Sequence, residues 1–197
     1  MPLLTREFNS GMYSVQLYYV AKVISLIPGL IIEPVLFTGI LFWISGLLNG
    51  LIPLGQCLCV VFLTIHVSTA CGLFFSSVFE EPTIAMAYLV PFDYLLMITM
   101  GSFIKLSSLP VYIQWIKYLS WLLHSTEALT IIQWHDVQNI SCSTNESDYP
   151  CITDGAHVLQ QYDFAEDDIY KNICIMILLY LIFNILGLIF LFRKLNK

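Results

Sequence analysis

Charge is what this chain lacks most. Only 11% of its 197 residues are Asp, Glu, Lys or Arg, where a soluble domain carries about 25%. Eight Lys and Arg stand against fourteen Asp and Glu, for a formal charge of −6. So few cations cannot build the basic face that a phosphate backbone needs, which argues against nucleic acid as a partner. No G-x-x-x-x-G-K-[ST] run occurs anywhere in the chain, so nothing here is expected to cradle nucleotide phosphates. A signal peptide is not expected either, because the first apolar stretch lies too far in and lacks an A-x-A-like cleavage site. Cys57, Cys59 and His66 do not match a zinc spacing, and no metal site is expected. His135, Asp136 and Ser141 are close in sequence but lack the structured context of a hydrolase nucleophile, so no catalytic residue is assigned.

What remains is grease. Hydrophobic residues make up 58% of the chain, and the mean hydropathy is +0.79. That composition specifies an all-α integral membrane protein. Four segments are long and apolar enough to cross a bilayer core, which takes about 20 residues. They lie near residues 24–46, 51–75, 84–104 and 173–192. Asn49–Gly50 with Pro53 predicts a tight turn between the first two, and "FEEPT" (79–83) another between the second and third. Cys57, Cys59, Cys71 and Cys174 fall inside these segments, as small apolar fillers.

Orientation follows from the ends. Arg6 precedes the first span and "RKLNK" follows the last, so both termini read as cytosolic. The expected division is a cytosolic segment 1–23, three spans within 24–104, an outer loop 105–172, a last span 173–192 and a tail 193–197. Lys105, Lys117 and Lys171 run against the charge bias. "NISCSTNESDYPC" (139–151) supports it: Asn139 and Asn145 are glycosylation acceptors, and Cys142 is expected to pair with Cys151, all outside the cytosol.

Residues 111–134 could span by length, but a helical projection argues otherwise. Lys117, Ser120, His124 and Glu127 share about 80° of arc, whereas Ile113, Ile116, Tyr118, Trp121 and Leu122 cover the other faces. Three tryptophans and two tyrosines suit the headgroup region. The expectation is an amphipathic helix that re-enters the membrane or lies at its outer surface. It serves either as a packed lid with a wet stripe or as a ligand-binding stripe.

"REFNSGMYSVQLYYVAKVISLIPGLIIEPVLFTGI", "SLPVYIQWIKYLSW" and "STEALTIIQWHDV" resemble the membrane domain of subfamily G of the ATP-binding cassette transporters. The branch most similar is the eye-pigment group of White, Scarlet and Brown, and the resemblance covers essentially the whole chain. It implies an ABC-2 type fold with six spans behind a cytosolic ATPase. This chain would be the last four, with Met1 the expected start of a fragment. By the same resemblance Arg6, Glu7 and Tyr13 belong to the segment through which the ATPase moves the membrane domain. Val90, Asp93, Tyr94 and Met97 would line a central cavity, and Ser102 and Phe103 would stand at its outer plug. ATP and magnesium would bind in a nucleotide-binding domain outside this chain. The implied partners are a second half-transporter, the lipid bilayer and a small-molecule substrate. That substrate would be a pigment precursor or a sterol, and the membrane a plasma or pigment-granule membrane. A tetraspan scaffold is the alternative class, but its Cys-Cys-Gly signature is missing and "ACG" (70–72) lies inside a span.

Three ionisable residues fall near mid-span: Glu33, His66 and Asp93. Counted from the span centres they share a depth within about 3 Å, and each is costly in a bilayer. They are expected either to brace the spans against one another or to set Asp93 toward a cationic or hydrogen-bonding substrate.

Overall fold

The computed structural model describes residues 14–46, 50–101, 115–135, 137–138, 140, 154–165 and 168–195. Their regular secondary structure is all helical, with no strand among the described residues. In chain order the helices are α1 (Val15–Ser45), α2 (Leu51–Val78), α3 (Pro82–Ile98), α4 (Ile116–Leu119), α5 (Trp121–Trp134), α6 (Gly155–Gln161) and α7 (Ile169–Leu195).

Among the described residues, α1, α2 and α7 are long and apolar enough to cross a membrane. α1 starts nine residues before the expected span, because Ser14 caps it by accepting from the Leu17 amide at 3.4 Å. It passes through Pro28 and Pro34 and stops at Gly46, which adopts the left-handed conformation at φ 58°. α3 is shorter than the expected 84–104. Pro82 opens it at a position that needs no amide donor, and it ends after 17 residues, about 25 Å of helix. There the Thr99 hydroxyl donates back to the Leu95 and Leu96 carbonyls at 3.1 and 3.0 Å, and Gly101 takes φ 88°.

α2 and α7 form the central pair, with α5 laid against both. Their shared core holds Val67, Ala70 and Cys71 of α2, Ala128 of α5, and Met176 and Phe183 of α7. Small side chains at Ala70, Cys71 and Ala128 let the backbones approach, as membrane helix pairs require. Trp121 fills the middle of this core at 1% exposure. It lies edge-on to Phe183 at 5.7 Å and tilted to Phe92 at 6.1 Å.

The described part of 111–134 is therefore not one continuous amphipathic helix, and its Trp121 is a core residue. It breaks at Ser120, whose extended backbone ends α4 and caps α5. Ser120 accepts from the Leu123 amide at 3.3 Å and donates to the Leu96 carbonyl at 3.2 Å. This buried hydroxyl turns Trp121 inward, while Trp115 stays 63% exposed.

Helix ends gather at two poles. At one, Val15 and Tyr19 of α1 pack on Leu191 of α7, and Lys194 donates to the carbonyl of Phe79, which ends α2, at 3.1 Å. A cation at a helix C-terminus also suits the helix dipole. At the other pole α5, α6 and the start of α7 meet, with Leu123, Ile131, Leu159 and Phe164 in a second core. Gly155 is needed there, since a Cβ would strike the Trp134 carbonyl while its amide bonds to Val137 O at 2.9 Å.

Candidate functional site

On α3, Val90, Tyr94 and Met97 recur at helical spacing and form one stripe. All three are exposed, Tyr94 at 59%, so the described residues leave this apolar face uncovered. Asp93 sits beside the stripe, half-buried and within electrostatic reach of Cys71 on α2.

The three mid-span ionisable residues are not drawn together by contact. Among the described residues no ion pair or hydrogen bond joins any two of Glu33, His66 and Asp93. Glu33 is exposed on α1. His66 bonds through Nδ1 to its own helix at the Phe62 carbonyl, 2.8 Å away. Its ring lies against Phe62 and faces Tyr180 at 6.2 Å. It borders a ≈ 40 Å³ cavity between α1, α2 and α7 that Asn184 also lines. Asn184 accepts from the Tyr19 hydroxyl at 3.3 Å and donates to the Tyr180 carbonyl at 2.8 Å. Among the described residues, the polar neighbours of His66 come from its own helix and from α7 and include no carboxylate. Arg6, Glu7, Tyr13, Ser102, Phe103, Asn139, Cys142, Asn145 and Cys151 lie outside the described residues.

The wet stripe of the 111–134 segment converges in part. Lys117, His124 and Glu127 line a cavity of ≈ 330 Å³ together with Tyr118, which was expected on another face, and with Phe164 and Asn172 on the other side, whereas Ser120 is buried away from it against the Leu96 carbonyl. Asn172, on the first turn of α7, is 1% exposed and accepts a hydrogen bond from His124 Nδ1 at 2.8 Å. An amide oxygen can only accept, so Nδ1 is the donor in this pairing, while Nε2 faces the Tyr118 carbonyl at 3.5 Å. The Asn172 amide nitrogen is buried with no acceptor at hydrogen-bond geometry. It lies toward the Glu127 carboxylate and steadies it at longer range. Burial pushes the Glu127 carboxyl above its usual range and Asp168 adds to the shift, while Asn172, the Ala165 amide and His124 oppose it. The shared side of Lys117, His124 and Glu127 was readable in the sequence. Asn172 was not, because it looks like one more polar residue at a span boundary.

Residues 1–134 match the ABC-2 type transporter family. The chain belongs to it. The chain is 45% identical to Protein scarlet of Drosophila melanogaster over 196 residues, all of this chain and 29% of that protein. Protein white of the same species is 30% identical over 191 residues, covering 95% of this chain and 28% of the relative. An ABC transporter ATP-binding protein/permease of Caenorhabditis elegans, wht-3, is 27% identical over 196 residues, all of this chain and 31% of its own length. This ABC-2 chain is therefore an integral membrane protein of subfamily G, similar to Scarlet, and spans under a third of each of these relatives.

Proposed function

We propose that the chain is the membrane-spanning part of an ATP-driven half-transporter that moves a small amphipathic or aromatic molecule across a membrane. The observation that carries this reading is the uncovered apolar stripe of Val90, Tyr94 and Met97 beside a half-buried Asp93 on a helix the chain leaves open. An apolar face with one ionisable residue suits a substrate path between two subunits, since intramembrane charge is retained where it acts on a passing molecule. The chain has no phosphate loop, so ATP and magnesium belong to a nucleotide-binding domain. The printed name of wht-3, ATP-binding protein and permease, agrees.

The pairing of helix ends supports four crossings. The end of α2 and the end of α7 share one pole, and a crossing by α3 is the return we assign between them. Ser120 holds the C-terminal turn of α3. α5 supports a re-entrant reading, because Ser125 accepts from Thr64 at 2.7 Å about 20 Å along α2. Its other end, at Ile132, borders a cavity with Gln56 near the start of α2. On this reading Asn139, Asn145 and a Cys142–Cys151 bridge lie on the outer side. Ser102 and Phe103 close the path there, and Arg6, Glu7 and Tyr13 receive the ATPase stroke. The partner is a second subfamily G half-transporter, and the membrane is the plasma membrane or that of a pigment granule.

Asp93→Asn tests the reading in the assembled transporter. Transport per surface molecule should fall at least tenfold while abundance changes less than twofold. Equal loss of abundance and transport would leave Asp93 a structural brace. Cysteines placed at 97 and 103 should form intersubunit crosslinks, and no product with any partner would remove the cavity assignment.

A further inference from the structure

We propose that the small cavity between α1, α2 and α7 is a hydration site. Ordered water would sit there within the spans, hydrogen-bonded to His66 of α2 and Asn184 of α7, and join the two helices.

Size narrows the occupant first. At ≈ 40 Å³ the space exceeds the roughly 10–15 Å³ that one water needs and falls far short of an organic ligand's pocket. Apolar side chains of α1, Leu26 and Leu30 among them, close one side. The polar lining comes from α2 and α7: His66, Thr69, Tyr180 and Asn184.

Unused hydrogen-bonding capacity decides the rest. A carbonyl can only accept, so His66 Nδ1 is the donor in its 2.8 Å bond to Phe62. That leaves Nε2 without a partner among the described residues. Asn184 spends one N–H on the Tyr180 carbonyl at 2.8 Å and one lone pair on the Tyr19 hydroxyl at 3.3 Å. A carboxamide has two of each, so one donor and one acceptor site remain. The hydroxyls of Thr69 and Tyr180 also lack a hydrogen bond among the described residues.

Lipid tails cannot answer such groups, and leaving them open inside a membrane is costly. Donors and acceptors are mixed here and no carboxylate lines the space, so a cation would meet N–H groups with no anion to hold it. Water both donates and accepts, and it serves Nε2 in either charge state of the ring. Bridging water of this kind is worth nearly as much as a direct hydrogen bond. His66 is then joined to α7 through solvent and needs neither Glu33 nor Asp93. The inference rests on none of the transport reading.

The test is radiolytic footprinting of the assembled transporter in nanodiscs and heavy-oxygen water. Radicals formed from bound water oxidise the side chains beside it, and mass spectrometry locates the label. Tyr180 should be labelled several-fold faster than Phe183, which lies on the same helix at 7% exposure in the apolar core. His66→Leu should bring Tyr180 down to the rate of Phe183. Thr69→Val, which keeps the volume and removes one hydroxyl, should slow Tyr180 by a smaller factor, so the proposal stays testable if His66→Leu misfolds. Labelling of wild-type Tyr180 no faster than Phe183 would mean a dry cavity and overturn the site. Undiminished labelling of Tyr180 in His66→Leu or in Thr69→Val would overturn it as well.

Discussion

Replacing Trp121 by alanine should destabilise this chain more than any other single aromatic truncation outside the central helix pair. The indole is 1% exposed and sits at the meeting point of α2, α3, α5 and α7. Truncation deletes two aromatic contacts, to Phe183 and Phe92, each worth about 0.5–1.5 kcal/mol. It also leaves a cavity that neighbours on four helices cannot all collapse to fill. Large aromatic-to-alanine changes of this kind cost about 3–5 kcal/mol. For a chain of this size that corresponds to a loss of about 6–20 °C in melting temperature. The assay is thermal unfolding of the detergent-solubilised protein, followed by fluorescence-detected size exclusion. Trp115→Ala is the matched control, since that ring is 63% exposed. Trp121→Phe should recover about half the loss by restoring the ring contacts without the full volume. If Trp121→Ala and Trp115→Ala melt within a degree of each other, the inward turn at Ser120 is wrong.

Glu127→Gln should be more stable than wild type at pH 7. The folded-state carboxyl titrates above its usual value of 4.5, so the folded form binds a proton more tightly than the unfolded one. Its destabilising effect grows as pH rises from about 4.5 through the raised value; a variant advantage that persisted at pH 4 would refute this. Gly155→Ala should loosen α6 from α5, because the new methyl meets the Trp134 carbonyl. Faster proteolysis between residues 140 and 165 would be the readout, and wild-type resistance would contradict it. Glycosidase should collapse a heavier band if Asn139 and Asn145 are modified. Non-reducing peptide mapping should find Cys142 joined to Cys151; cytosolic labelling of that loop would reverse the topology.

Composition and periodicity alone determined that this is a membrane protein, where three of its long helices run, and that Lys117, His124 and Glu127 share one side of their segment. Those features are local: apolar runs must be helical in a bilayer, where the backbone has no water to bond. Sequence pattern also brought out the family, through runs such as "PVYIQWIKYLSW". Depth along a span could not reveal that His66 turns to the α7 side while Asp93 lies by Cys71, because equal depth says nothing about azimuth. Nor could a projection at 100° per residue foresee the break at Ser120, which depends on a carbonyl 24 residues earlier in α3. The same holds for the outer cavity. Part of its lining was legible in the sequence, but the cavity formed only when α7 brought Asn172 across to His124 and toward Glu127. That meeting is a long-range packing event, and only the tertiary structure decides it.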